Sequence, residues 1–189
     1  MKETLRLIVV LTLFCIVASG LLAWTYAATK SPIEQALRAE LIDALKRVLP
    51  ECDNDVVADA KVINENGQDR TFYVGRRDGA FAGTAFRSVA DGYGGPIEVL
   101  VGVLPDGALK SIEILQAEKE TPGLGAKIKD RDFRDRFAKR PASDTSWAAV
   151  KKDGGDIQAI TGATISSRGV TRAVKAGLDV YARHAEEIR

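Results

Sequence analysis

Thr161-Gly162-Ala163-Thr164-Ile165-Ser166-Ser167 places four hydroxyl side chains within one short segment bent by a glycine. Apolar Val170, Val174, Leu178 and Tyr181 follow at every third or fourth position, which is helical spacing. The hydroxyls therefore sit at or just before a helix N-terminus. The first backbone N–H groups of a helix have no partner within it, and they favour a phosphate or another anion. A threonine on such a turn can hold a phosphorylated ligand or be joined to one. The same residues also fit a plain capped helix start, since Thr and Ser are common caps. Nucleophilic catalysis by Thr164 lacks its partners: the lone His184 falls in the helix body and no orienting acid accompanies it.

Two glycine-rich stretches precede this turn. In Gly92-Tyr93-Gly94-Gly95-Pro96-Ile97 the glycines surround Tyr93, an aromatic that can lie against a flat ring or simply ride on a tight turn. In Glu120-Thr121-Pro122-Gly123-Leu124-Gly125, Pro122-Gly123 suits a type II turn with glycine at its third position. Thr121 and the loop N–H groups then offer hydrogen bonds and Leu124 an apolar wall.

These three segments carry a resemblance. Thr161-Gly162-Ala163-Thr164 is similar to the flavinylation motif of the FMN-binding domain family, Glu120 to Gly125 to its Glu-Thr-Pro-Gly-Leu-Gly loop, and the run from Gly92 to a third family segment, in the same order. With the apolar N-terminus, the whole chain resembles the G subunits of Rnf-type electron-transport complexes. The resemblance implies FMN joined through a phosphoester to Thr164, with Thr161, Gly162, Ala163, Tyr93, Gly94, Glu120, Thr121, Gly123, Leu124 and Gly125 as the cofactor-binding set. It implies a separate flavin transferase that uses FAD, partner subunits of the complex, and electron relay between ferredoxin and NAD coupled to ion movement. No Gly-x-Gly-x-x-Gly nicotinamide fingerprint occurs, so NAD is expected to bind elsewhere. The C subunit of the sodium-pumping NADH:quinone reductase shares the flavinylation motif and stands as an alternative, as does a membrane-anchored sensor or binding module without redox function. Two departures from the family stand out: Gln158 lies where an Asp is usual, with Asp156 two residues earlier, and Lys119 lies where His is common.

The elements that position these residues read as follows. Ser31-Pro32-Ile33-Glu34 carries N-cap, N1 and N3 signals for a helix whose apolar face is Ile33, Leu37, Leu41, Leu45 and Val48, ended by Pro50 and packed on the outer domain. From Ala60 to Ala117 strands and turns dominate: Thr71 to Val74, a turn at Arg77-Asp78-Gly79, Ala80 to Phe86, Ile97 to Leu104, an Asp106-Gly107 hairpin and Leu109 to Leu115. Asp130 to Lys139 reads as a short helix with Phe133 and Phe137 on a narrow stripe and its charges in solvent. Trp147 to Val150 reads as a further strand, before a turn at Asp153-Gly154-Gly155. The expected fold is α+β, with a largely antiparallel sheet flanked by helices.

The 189 residues hold 27 Lys plus Arg against 26 Asp plus Glu, so there is no electrostatic case for nucleic acid. From Leu7 to Ala28 no residue is charged, a run that exceeds the roughly 20 residues a membrane-spanning helix needs. It also exceeds the apolar core of a secretory signal, although Thr25-Tyr26-Ala27 leaves a weak cleavage site. Trp24 and Tyr26 suit a membrane interface, and Lys2 and Arg6 place the N-terminus in the cytoplasm. The expected organisation is a cytoplasmic 1–6, a span at 7–28 in the inner membrane and a periplasmic FMN-binding domain at 29–189. Cys15 in the span and Cys52 beyond it cannot pair, neither has metal-ligand spacing, and His184 is a solvated helix residue. No metal site and no catalytic group of the chain's own are expected, and redox chemistry must come from a bound cofactor.

Overall fold

The structure, a computed structural model, describes residues 2–65 and 68–188. The chain divides into two compact units, Met1–Leu41 and Ile42–Arg189.

The described residues of the first unit all lie within one helix, α1 (Lys2–Val48). Its apolar stretch reaches a mean hydropathy of 2.6 and is long and apolar enough to cross a membrane. Thr25 and Thr29, near the end of the uncharged run, donate their hydroxyls to helix carbonyls, to Leu22 O at 2.9 Å and Thr25 O at 2.8 Å. Their polar groups are thereby satisfied inside the helix, as a lipid environment requires. The separate helix expected to start at Ser31 does not exist, because α1 runs through Pro32 without a break. A proline within a helix costs about 3 kcal/mol. Ending one helix and starting another would instead orphan about four backbone groups at each new end. Ile33 and Leu37 remain exposed, and burial on this apolar face begins only at Ala44, Leu45 and Val48.

The second unit is built on a five-stranded antiparallel sheet in the order β1-β2-β3-β4-β5. The strands are β1 (Lys61–Glu65), β2 (Gln68–Arg77), β3 (Ala80–Asp91), β4 (Pro96–Val103) and β5 (Leu109–Gln116). The expected α+β class holds. β1 is an addition to the strand runs read from the sequence. Asp78 and Gly79 both take positive φ, 51° and 77°, which is the primed turn that suits a two-residue hairpin. At the β4–β5 hairpin the Gly107 N–H closes onto Leu104 O at 3.0 Å.

Alternation along β4 sorts the two sheet faces. Ile97, Val99, Val101 and Val103 join a core with Phe86 of β3 and with Val170, Ala173, Val174 and Leu178 of α3 (Thr164–Ile188). All four apolar positions read from helical spacing are buried. Leu100 and Ala85 point to the opposite face, where the end of α1 brings Leu45, Val48 and Leu49. The last carbonyls of that helix are satisfied by β5: the Lys110 ammonium donates to Leu49 O, and Ser111 Oγ donates to Arg47 O at 3.2 Å.

Between β5 and α3 the chain is mostly irregular. The short helix around Phe133 and Phe137 is present as α2 (Arg131–Arg134) and a 3-10 turn (Asp135–Phe137), with both rings buried edge to face. Its charges are not all in solvent as expected. Arg134 is largely buried and donates to Glu113, which also meets Arg47 at 3.3 Å. Trp147 to Val150 does not form a strand. It is a turn whose only ladder contact among the described residues is one parallel bridge, Val150 to Ile157. The Trp147 indole donates to Pro141 O at 2.9 Å, so this segment fills the core rather than extending the sheet.

Candidate functional site

The hydroxyl-rich turn opens α3, and its local structure differs from a self-capped helix start. The first α-helical bond of α3 runs from the Ser167 N–H to Ala163 O at 3.0 Å, which makes Ala163 the capping position. Alanine offers no side-chain acceptor. Ser167 Oγ is turned elsewhere, accepting from the Ile160 N–H at 3.0 Å and donating to Ala163 O at 2.9 Å. The Thr161 side chain has no hydrogen-bond partner among the described residues and so does not cap the helix. The N–H groups of Thr164, Ile165 and Ser166 are left without a protein acceptor among the described residues, at the positive end of a 25-residue helix. Gly162 takes φ 80°, the left-handed conformation that lets the chain turn into the helix here.

In front of this terminus lies an open cleft of about 450 Å³, lined by Tyr93, Thr121, Leu124, Gly125 and the stretch from Gly162 to Ser166. That volume is within the usual range for small-molecule sites, about 300–1,000 Å³. The three glycine-containing segments, far apart in sequence, meet along one surface. Tyr93, Leu124 and Ile165 line it while remaining 66%, 45% and 47% exposed, so three large apolar groups face outward around the free N–H groups. None of the lining side chains is charged. An anion bound here would be met by backbone N–H dipoles and hydroxyls, and a flat ring by Tyr93, Leu124 and Ile165.

The loop that presents Leu124 has the expected turn. The Leu124 N–H donates to Thr121 O at 3.1 Å around Gly123 at φ 75°. Gly94 lies against the Lys119 carbonyl so closely that any Cβ would overlap it. Glu120, the first residue of the same loop, does not line the cleft. It is 4% exposed, and Oε1 accepts from the Tyr93 and Gly94 N–H groups at 2.8 and 3.3 Å, while Oε2 accepts from Ser166 Oγ at 2.6 Å.

Other sequence candidates fall nearby. Thr161 lines a second, smaller hollow with Lys127, Arg136 and Gln158, next to the first. The Gln158 carbonyl accepts from Arg136, and Asp156 pairs with Arg140 at 2.8 Å. Arg168 makes a two-pronged bond to Asp153 at 2.6 Å on each arm, and this holds the Asp153 carboxyl below the usual range. That pair pins the Asp153-Gly154-Gly155 turn to α3. Cys52 is half-buried, and burial, aided by Asp53, raises its thiol pKa. His184 is half-buried beside Glu187 at 3.3 Å. No cluster suited to a metal occurs among the described residues. Ile165 joins the site without having been expected there from the sequence, and Ser166, one of the four hydroxyls of the turn, joins it from outside the expected cofactor-binding set. Ile165 carried one signal, a large apolar residue off the buried spacing of α3.

Residues 92–179 match the model of the FMN-binding domain, and residues 1–48 match the model of the RnfG N-terminal region. The G subunit of the ion-translocating oxidoreductase complex of Aliivibrio fischeri (strain MJ11) is 36% identical, over 95% of this chain and 90% of that protein. The chain belongs to this family of G subunits. Other members agree: the G subunit of Cereibacter sphaeroides (ATCC 17023) is 37% identical over 94% of this chain and 84% of its own length. Among solved structures, the C subunit of the Na(+)-translocating NADH-quinone reductase from Parabacteroides distasonis shares the fold, with a TM-score of 0.54 at 20% identity, covering 79% of this chain and 83% of that one. Shewanella oneidensis NqrC is equally similar, with a TM-score of 0.54 at 20% identity over 76% of this chain and 70% of its own. The cleft falls within the span matched to the FMN-binding domain, and the donors it offers are those a flavin phosphate and ring require.

Proposed function

We propose that this chain is the membrane-anchored flavin carrier of an Rnf-type ion-translocating oxidoreductase, relaying electrons between neighbouring redox centres of that complex. The observation that carries the reading is the convergence of Tyr93, Thr121, Leu124 and Thr164 on one uncharged cleft in front of three free N–H groups. FMN supplies the electron chemistry when bound. Thr164 Oγ1 is the covalent anchor, in an ester with the FMN phosphate. The N–H groups of Thr164, Ile165 and Ser166 receive the phosphate charge, which removes the need for a basic side chain. Tyr93, Leu124 and Ile165 shield one side of the ring system from water, and Thr121 and the backbone from Gly123 to Gly125 orient it.

Maturation requires a separate flavin transferase. A transferase that uses FAD as donor would place the FMN phosphate on Thr164 Oγ1, with AMP as the leaving group and the hydroxyl proton taken up by the transferase. The chain needs no base of its own for this step. Thr161 contacts the transferase or the flavin without carrying it. Residues 7–28 form a single span of the inner membrane, with 1–6 cytoplasmic and 29–189 forming the periplasmic domain, an orientation supported by Lys2 and Arg6. The match of residues 1–48 to the RnfG N-terminal region favours this assignment over the C subunit of the sodium-pumping reductase.

The test is production of the full chain with and without a flavin transferase, followed by intact mass and absorbance after denaturation. One FMN ester per chain, retained in denaturant and dependent on the transferase, is the expected result. An unmodified chain, made beside a control acceptor that is modified, overturns the reading.

A further inference from the structure

Glu120 is the one buried acidic side chain among the described residues, and both carboxylate oxygens are taken by protein donors. A carboxylate this deeply buried persists only where hydrogen bonds replace its hydration. Its donors come from two different walls of the cleft, the Tyr93–Gly94 loop and the first turn of α3 through Ser166. Its own backbone begins the third wall, the loop from Thr121 to Gly125. The neighbouring backbone leaves room for it: a Cβ on Gly92 would strike Oε1, and one on Gly125 would strike Oε2.

We propose that Glu120 is a positioning residue: its buried carboxylate ties the Tyr93 loop, the Leu124 loop and the start of α3 into one cleft and so sets where the Tyr93 ring stands, without itself touching the ligand. Tyr93 needs such a tie because its ring is two-thirds exposed and cannot be located by packing. A bond to its own backbone N–H fixes the point from which the ring projects. What does this work is the reach of the side chain, since Oε1 and Oε2 must serve opposite walls together. The Glu120→Gln side chain keeps that reach: its carbonyl accepts the two N–H groups and its amide donates to Ser166 Oγ, whose hydrogen rotates away. An aspartate keeps the charge and loses one methylene of reach.

The assignment of a flavin ligand to this cleft rests on the reading above, so the test has one arm that needs no flavin. Full-length wild type, Glu120→Gln and Glu120→Asp are compared in detergent, without flavin, by amide hydrogen exchange. For Glu120→Asp, exchange at Tyr93 and Gly94 should rise about tenfold, the effect of losing a charge-assisted bond, while protection of β3 to β5 persists. For Glu120→Gln, whose neutral carbonyl keeps both bonds but makes each weaker, exchange at the two amides should rise clearly less than in the Asp variant. In the second arm, chains loaded by the transferase are compared by visible circular dichroism of the flavin: the Asp variant should lose most of the induced signal and the Gln variant keep it. Several results overturn the proposal: unchanged exchange in the Asp variant, rescue by Asp but not Gln, equal dichroism in both, or protection lost across the whole sheet in both. If no chain loads flavin, the covalent reading has failed, and the exchange arm alone decides the role of Glu120.

Discussion

Replacing Gly94 with alanine separates two expectations of opposite sign. Gly94 is exposed and does not sit at positive φ, so by backbone entropy alone Gly94→Ala should stabilise the domain by about 0.4–1 kcal/mol. The structure reverses the sign. The new Cβ would overlap the Lys119 carbonyl, a backbone atom that cannot turn aside as a flexible side chain can. The Tyr93 loop must therefore lift from the Glu120 loop, and the bonds from the Tyr93 and Gly94 N–H groups to Glu120, at 2.8 and 3.3 Å, lengthen together. Bonds to a charged acceptor are worth about 1.5–3 kcal/mol each, and the longer one less. After the entropic gain, the net loss comes to about 2–3 kcal/mol. For a domain of this size that lowers Tm by about 4–12 °C. Thermal unfolding of the full-length variant and wild type, followed by circular dichroism in one detergent, measures it. An unchanged or higher Tm for Gly94→Ala refutes the claim that the close approach to Lys119 holds the cleft together.

Three further outcomes are expected. Replacing both Thr121 and Leu124 with alanine should shift the absorbance or midpoint potential of the attached flavin while leaving its attachment largely intact; an unchanged spectrum and potential return that loop to a plain turn. Burial raises the Cys52 thiol pKa, so its folded value lies above its unfolded one, and its contribution to stability is full below the unfolded pKa and declines as pH rises through the folded one. Alkylation near pH 8 should accordingly be slower in the native chain than in denaturant, and equal rates contradict the burial. Reporter fusions after Lys30 should be active only as periplasmic reporters, and cytoplasmic activity there, or a mature N-terminus near Ala28, overturns the orientation.

The parts of this molecule with local periodic signals were legible in the sequence. The spacing of Val170, Val174, Leu178 and Tyr181 marked the buried face of α3, and Asp78-Gly79 and Asp106-Gly107 marked two hairpins. What the sequence hid depends on context. The capping signals at Ser31-Pro32-Glu34 are real locally, yet they lost to the continuity of a helix already formed on both sides. Trp147 to Val150 has strand-like composition, but the core needed a space-filling turn beside Pro141. The cleft was partly legible because its segments carry recognisable residues. The tie between them was not: Glu120 meets Tyr93 from 27 residues away and Ser166 from 46, and no periodicity reports such a pair. Arg134 misled for the same reason, since its partner Glu113 lies on a strand 21 residues earlier.

We propose that Thr164, rather than any of the hydroxyls around it, carries the flavin. Peptide mapping by mass spectrometry of the chain made with its transferase tests this directly, with Thr164→Ala and Thr161→Ala beside wild type. FMN is expected on Thr164 in wild type, no flavin on a folded Thr164→Ala chain, and reduced labelling of Thr161→Ala still at Thr164. FMN mapped to Thr161, to Ser166 or to no residue at all would contradict it.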